Sequence, residues 1–169
     1  MPIEDSALET GGKTVADVLI KWGNRIQDEM RQFLNDNTVE GGTKNLEQSI
    51  IFLPLVVGNN VYTLEFNALD YFKFVDQGMQ GAKTSTKAPR SPFKFKDKKP
   101  PIEPIKKWAY LANKNPFAVR ESIYQKGTPP KNIIDNVLTP AFMDEMLTDV
   151  ANAVGIDIEL GISEALDGK

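Results

Sequence analysis

Four side chains near the middle of the chain are of the types that serve metal-dependent hydrolysis: Glu65, Asp70, Lys73 and Asp76. Asp, Glu and Lys suffice for this chemistry without a histidine, because the carboxylates hold a divalent cation and the cation activates water. The sequence has no acidic pair followed by Glu-x-Lys, the string that would place such a site on a strand. A metal-dependent nuclease is therefore the third interpretation of this chain.

The chain contains no Cys and no His. This composition excludes disulfides, thiolate nucleophiles and thiolate or imidazole metal sites, and it removes the usual general base at neutral pH. Gly78 and Gly81 do not form a phosphate-binding loop, because no helix start with Lys-Ser or Lys-Thr follows them. The other carboxylates are scattered, whereas acid–base catalysis needs two that converge in one cleft. We expect a protein that is not an enzyme and that uses no cofactor or metal ion.

The strongest departure from average composition is a loop rich in Lys and Pro. Residues 81–107 carry nine basic and two acidic residues, a local charge of +7, and the chain's net charge of −3 leaves −10 for the rest. Five prolines favour an extended, stiff arm, and phenylalanines alternate with lysines as in some nucleic-acid grooves. We expect the arm to reach the acidic surface of an adjacent subunit, which covers one or both phenylalanines. Its candidate interface residues are Lys83, Lys87, Arg90, Phe93, Lys94, Phe95, Lys96, Lys98 and Lys99.

Two long amphipathic helices are predicted to form the core with a β-hairpin. Residues 14–34 place apolar residues at three- and four-residue steps, and Thr14 with Asp17 three residues later is typical of a capped helix start. The second helix is predicted to begin at Thr139, which caps it, with Pro140 in the first turn.

Three shorter helices are predicted between the long ones. The first is capped by Asn67 and ends at Gly78, the second covers residues 101–114, and the third begins at Asn115 and ends at Gly127. Apolar spacing assigns these residues to the core: Trp22, Trp108, Phe117, Ile123 and Tyr124.

Two apolar, β-branched runs flank a Gly-Asn-Asn string at residues 58–60, which predicts a hairpin, with Pro54 at an edge or a bulge.

The end of the chain alternates apolar and polar residues with a period of two. This alternation favours a strand, and a helical continuation is the alternative. We expect the tail to add a strand to a neighbour's sheet edge. Its candidate interface residues are Ile156, Ile158, Leu160 and Ile162.

These elements predict an α+β fold, in which a long N-terminal helix and C-terminal helices pack on a small antiparallel β-sheet, with a long basic Pro/Lys loop and extended terminal arms. The predicted organisation is an N-terminal arm over residues 1–12, a single domain over residues 13–155 with an extended loop at residues 79–104, and a C-terminal tail over residues 156–169.

No apolar run approaches the ~20 residues that span a bilayer, and the start is acidic where a signal peptide would be basic. We expect a soluble protein made in the cytoplasm.

The strings "GGTKNLEQSI", "ALDYFKFVDQGMQG" and "FAVRESIYQKGTPPKNII" follow the first long helix in that order. They resemble the Thr-Gly-x-Leu-x-x-Ser-Ile, Tyr-Ala-x-x-Val-Glu-x-Gly and Arg-x-x-Ile-Tyr-x-x-Gly strings of tail-completion or head-to-tail connector (neck) proteins of tailed bacteriophages. The resemblance covers residues 14–150. Asn45 stands where Gly is common in that family, and Asp76 stands where Glu is common.

The resemblance implies a non-enzymatic virion structural protein that forms a ring of six or twelve copies in the phage neck and joins the capsid portal to the tail. Its partners would be its own copies, a portal or adaptor ring and tail proteins, with transient proximity to genomic DNA and no membrane. It would be made in the host cytoplasm and reside in the neck or tail region of the virion. The alternative that the residues themselves leave open is a nucleic-acid-binding module using the basic loop of residues 81–107.

Overall fold

The computed structural model of the chain describes residues 14–37, 45–53, 55–58 and 61–167. The chain divides into two compact units. The first unit contains the described parts of Met1–Ile26, Phe52–Glu65 and Leu138–Lys169, and the second contains the described parts of Gln27–Ile51 and Phe66–Val137. The predicted N-terminal arm, residues 1–12, and Pro54 lie outside the described residues.

Helices and short antiparallel strands together confirm the predicted α+β class. The helices of the described residues are α1 Val15–Asp36, α2 Asn45–Ser49, α3 Phe72–Asp76, α4 Ile102–Leu111, α5 Pro116–Lys126, α6 Ile133–Val137 and α7 Pro140–Asp167. The strands are β1 Ile51–Phe52, β2 Val56–Gly58, β3 Val61–Thr63, β4 Phe66–Asn67, β5 Met79–Gln80 and β6 Gly127–Thr128. The strands pair as three two-stranded sheets, β1 with β4, β2 with β3 and β5 with β6.

The start of α1 has the predicted capping geometry. The Thr14 hydroxyl accepts the Asp17 N–H at 3.2 Å, and the Asp17 carboxylate accepts the Thr14 N–H at 3.2 Å and its hydroxyl at 2.8 Å. This exchange satisfies backbone donors that the first turn of a helix leaves without an intrahelical partner. The helix continues past the predicted end at Leu34 to Asp36.

The predicted packing of the two long helices against each other is confirmed in the first unit. Trp22 of α1 is fully buried, with 0% of its surface exposed, and its ring meets the edge of Phe142 of α7 with the centroids 5.1 Å apart. The Trp22 Nε1–H donates to the Asp149 carboxylate at 3.1 Å. The Arg25 guanidinium lies 4.6 Å from the centre of the Trp22 ring and donates to Glu145 at 2.8 Å. An aromatic pair and polar contacts, these two among them, therefore hold α1 to α7.

The predicted hairpin is confirmed, with Val56 opposite Thr63 and Gly58 opposite Val61. Its connecting residues 59–60 lie outside the described residues. The side chains of Val61 and Tyr62 are exposed, so β3 does not contribute them to the core. The strand contact seen on α1 is made by β1 instead, because a Cβ added to Gly23 would meet the Phe52 ring.

The C-terminal segment is helical, and the predicted strand over Ile156, Ile158, Leu160 and Ile162 is wrong. The backbone of α7 continues without interruption to Asp167, so the helical alternative is the observed one. A helix satisfies its backbone hydrogen bonds within itself, whereas a strand needs a partner edge. The residues with the period-two pattern therefore continue the long helix that precedes them, and they do not form a strand.

A substitution in α7 tests whether its C-terminal part is a stable helix. A Cβ added at Gly155 would meet no atom within 4 Å. Because Gly inside a helix is less favourable than Ala by roughly 0.5–1 kcal/mol, we expect Gly155→Ala to raise the free energy of unfolding by about that amount. Urea denaturation measures the change. Gly23→Ala is the control, since its added methyl would meet the Phe52 ring and should cancel the gain. A loss of stability for Gly155→Ala would contradict a helical backbone there.

In the second unit α5 has the predicted ends. The Asn115 side chain accepts the N–H groups of Phe117 and Ala118 at 2.9 and 3.3 Å, and Gly127 ends the helix with a φ of 75°. The expectation that Phe117 faces inward is wrong, because 64% of its surface is exposed. Phe117 stands in the first turn of α5, and the loop that covers Tyr124 lies against the last two turns.

Two short helices differ from the prediction. Asn67 does not cap α3, because β4 pairs with β1 and takes Asn67 into a sheet, and α3 begins after Tyr71 without a side-chain cap. Gly78 follows α3 with a φ of 71°, as expected for a helix stop. The helix α6 has no strong local signal of its own. Its Ile134 N–H donates to the buried Asp76 carboxylate at 3.1 Å, so a residue distant in sequence caps it.

Candidate functional site

The basic loop is folded on its own chain in the second unit and is not the extended arm that the prolines predicted. The Ala82 N–H donates to the Tyr124 carbonyl at 2.8 Å, which fixes the start of the loop to the end of α5. Further along, the Gln80 N–H donates to the Phe93 carbonyl at 2.8 Å, and the Phe95 N–H donates to the Gln80 carbonyl at 3.0 Å. Backbone hydrogen bonds, which exposed side-chain pairs rarely match in strength, therefore order this loop.

The two phenylalanines of the loop have partners within the same unit. Phe93 meets Phe74 edge to face with the centroids 4.7 Å apart, and Phe95 lies 6.1 Å from the Tyr124 ring. Both side chains are half-buried. Their predicted contact with a neighbouring subunit concerns an assembly and stays a prediction, but their first role is to attach the loop to α3 and α5.

The last part of the loop is tied to α5 by polar groups. The Tyr124 hydroxyl donates to the Lys96 carbonyl at 2.6 Å, and the Arg120 Nε–H donates to the Pro100 carbonyl at 2.8 Å. Lys99 donates to Glu121 at 2.6 Å, and this hydrogen bond lowers the pKa of the Glu121 carboxyl. Lys99 is thus an intramolecular anchor, as Phe93 and Phe95 are.

The remaining candidate cations of the loop stand in solvent. Because dissolved ions screen exposed charges, salt is expected to weaken the contacts that this surface makes. The exposed residues are Lys83, Lys87, Arg90, Lys94, Lys96 and Lys98.

Charge is divided unequally between the two units. By sequence, the segments of the first unit contain four basic and twelve acidic residues, and those of the second contain sixteen and eleven, which gives net charges of −8 and +5. The helix α7 alone carries seven acidic residues and no basic residue. One chain therefore supplies both an acidic and a basic surface.

A junction of three glycines lies beneath the loop. In the pairing of β5 with β6, Gln80 stands opposite Gly127. A Cβ at Gly127 would meet the Met79 carbonyl oxygen, and one at Gly81 would meet the Gln125 carbonyl. The buried Ser91 hydroxyl donates to the Gly78 carbonyl at 2.7 Å. The backbones approach so closely here that side chains are excluded.

An open groove between α4 and α5 is a feature that sequence reasoning missed. It has a volume of about 540 Å³, and half-buried Trp108, predicted as core, lies in its wall. The Lys114 ammonium stands 5.3 Å from the centre of the Trp108 ring, and Lys87 of the loop lines the groove as well. The face of α5 in the groove consists of Ala118, Val119, Ser122 and Ile123. We call this site the α4–α5 groove.

An exposed apolar patch adjoins the groove at the turn between α4 and α5. Lys114 and Asn115 line both the α4–α5 groove and a second recess of about 430 Å³ whose wall includes Tyr110 and Phe117. Leu111 is exposed as well. Contiguous exposed apolar side chains next to polar ones are typical of protein interaction sites. The signal available in the sequence was an aromatic residue on each side of the turn between the two predicted helices, Tyr110 and Phe117.

The side chains considered for metal-dependent hydrolysis are not gathered into a site. The Asp76 carboxylate is buried and accepts the Ile134 N–H. Across the described ranges, no group of three His, Cys, Asp or Glu side chains is placed to hold a metal ion. Nor is any helix in those ranges long and apolar enough to cross a bilayer.

No protein-family model, no curated protein and no solved structure matches the chain. The functions considered are therefore argued from the charge, burial and shape of the exposed surfaces.

Proposed function

We propose that this chain is a non-enzymatic virion structural protein that forms an oligomeric ring in the neck of a tailed bacteriophage and joins the capsid portal to the tail. The observation that carries the proposal is the division of charge, −8 in one unit and +5 in the other. In a closed ring, one patch of each copy meets a different patch of the next copy. A chain that carries both signs on separate surfaces meets this requirement.

The strings that resemble neck proteins give the proposal a second support. Two of them, "ALDYFKFVDQGMQG" and "FAVRESIYQKGTPPKNII", contain β5 and β6, which pair with each other. Gly78, Gly81 and Gly127 stand in these strings where the backbones meet most closely. Gly78 and Gly127, the two glycines that the family strings match, have positive φ values that favour glycine, and this supports the proposal.

The two kinds of exposed residue would contribute differently to the ring. Single exposed ion pairs contribute about 0–1 kcal/mol each, so the loop lysines mainly steer and align the subunits. Buried area comes from apolar anchors, and Tyr110, Leu111 and Phe117 are exposed for this purpose. Phe93 and Phe95, already packed within their own unit, are secondary anchors.

Sedimentation velocity and native mass spectrometry at increasing salt test the proposal. We expect the chain at high concentration, or with a candidate portal protein, to form a closed ring of six or twelve copies. Raising the salt from 50 to 500 mM should weaken association about tenfold or more, because Debye screening shortens charge–charge attraction. A chain that stays monomeric under all these conditions would contradict the proposed function.

A nucleic-acid-binding module is the second candidate, favoured by the exposed loop cations Lys83, Lys87, Arg90, Lys94, Lys96 and Lys98. Phosphate-driven binding weakens steeply with salt. A gel-shift titration with double-stranded DNA therefore separates the two functions. Tight, salt-sensitive DNA binding by a chain that does not self-associate would replace the first proposal with the second.

A further inference from the structure

We infer that the α4–α5 groove is the receptor for the C-terminal part of α7 from a second copy of the chain. The inference rests on the proposed function, since it names the surfaces through which copies would join. It is carried by the groove's shape and charge, and by the composition of the helix that would enter it.

The groove has the features of a site that binds an acidic, partly apolar helix. Its α5 face places Ala118 and Ser122 one helical turn apart, so a second backbone could approach closely at these small side chains. Trp108 offers a large, half-buried aromatic surface beside them. Lys87 and Lys114 flank this apolar surface, so carboxylates are the matching charges on the ligand.

The end of α7 has the matching composition. Residues 156–167 contain Asp157, Glu159, Glu164 and Asp167, together with Ile and Leu residues and no basic residue. Nothing lies within 4 Å of a Cβ at Gly155, so nothing in the described residues covers the helix at that point. By contrast, Glu145 and Asp149, earlier in α7, are occupied by Arg25, Lys21 and Trp22 of α1.

The lengths of the two elements agree. Residues 155–167 span about 20 Å as a helix, and α5, with 11 residues, spans about 16 Å. An amphipathic helix laid in an apolar groove is a common recognition mode, and charges at the groove's edge set its orientation. Because donor helix and receptor groove are different surfaces, the contact is heterologous and suits a ring.

Charge reversal in the groove is the first arm of the test. We expect the double variant Lys87→Glu with Lys114→Glu to weaken self-association of the full chain about tenfold or more in sedimentation. The matched control, Lys73→Glu with Lys126→Glu, makes the same change in net charge on exposed residues outside both the groove and the basic loop. Its effect should stay below about threefold. Equal effects of the two variants, or no effect of the first, would overturn the inference.

Rescue by complementary charges is the second arm. A tail variant, Asp157→Lys with Glu159→Lys, should self-associate as weakly as the groove variant, Lys87→Glu with Lys114→Glu, when each variant is measured by itself. Combining all four changes in one chain should restore association, because a reversed tail then matches a reversed groove. Failure of rescue would overturn the inference, as would concentration-independent behaviour of every variant, which indicates docking within one chain. Circular dichroism controls for folding, and Lys87→Gln with Lys114→Gln replaces the reversal if that variant unfolds.

The two levels of proposal fail differently. If the unaltered chain never self-associates, the proposed ring fails and this inference fails with it. If the chain associates but the groove variant matches its control, only the inference fails. Both results come from the same sedimentation series.

Discussion

Replacing Trp22 by Ala should lower the free energy of unfolding by about 3–5 kcal/mol, the range of large-to-small aromatic changes in a core. Trp22 is fully buried between α1 and α7, where relaxation around a cavity is limited because packed neighbours hold their positions. The change also removes the Nε1–H that the Asp149 carboxylate accepts. The Asp149 carboxylate then loses a hydrogen-bond donor, and this loss adds to the free-energy cost of the cavity.

Urea denaturation, with the slope of the transition checked for constancy, measures this effect. Phe142→Ala should cost a similar amount, and the double variant should lose less than the sum, because the two rings contact each other. Trp108→Ala is the control, since that ring is only half-buried, and it should cost less than half as much. Nearly unchanged midpoints for both Trp22→Ala and Phe142→Ala would contradict the packing of α1 on α7.

Gly127→Ala should destabilise the second unit by about 3 kcal/mol or more, a second large effect with a different cause. Gly127 has φ 75° and ψ −172°, a backbone region that only Gly adopts readily. A Cβ there would also meet the Met79 carbonyl oxygen and lie 2.7 Å from the Gly81 nitrogen. Backbone atoms do not move aside as a flexible side chain does, so the β5–β6 pairing should open.

Hydrogen exchange provides a local measurement for this variant. The Gln80 amide, which donates to the Phe93 carbonyl, should lose protection when the junction opens. Amides in the part of α1 that belongs to the first unit should keep more of their protection from exchange than the Gln80 amide does. This difference distinguishes local opening from global unfolding. Stability within about 0.5 kcal/mol of the parent, the usual range of neutral surface changes, would refute the close approach at Gly127.

The parts of the fold that could be predicted from the sequence have local causes. The Thr14–Asp17 exchange, the Asn115 cap and the Gly-Asn-Asn hairpin depend on residues within a few positions of each other. The helix α6 could not be predicted this way, because its cap, Asp76, lies 58 residues before Ile134. The loop's attachment to α5 could not be predicted for the same reason, because Phe95 and Tyr124 come into contact only in the folded chain.

The candidate site also has features that could be predicted from the sequence and features that could not. The excess of lysines in the loop was visible by counting, and so was the acidity of the rest of the chain. The α4–α5 groove was not visible, because apolar spacing marks Trp108 as core without showing what covers it. How far a ring is covered is a property of tertiary packing. For residues 156–162, two periodicities competed, and only the continuation of α7 decided between them.

The order of the units along the chain has a consequence for synthesis on the ribosome. The first unit joins segments that are far apart in the sequence, since Trp22 binds Asp149 across 127 positions. The second unit, by contrast, lies wholly between Gln27 and Val137. Domains emerging from the ribosome generally fold as units, earliest residues first. The second unit can therefore form while α7 is still being translated, and the first unit must wait for α7 to emerge. The acidic surface that α7 carries would thus mature after the second unit has folded.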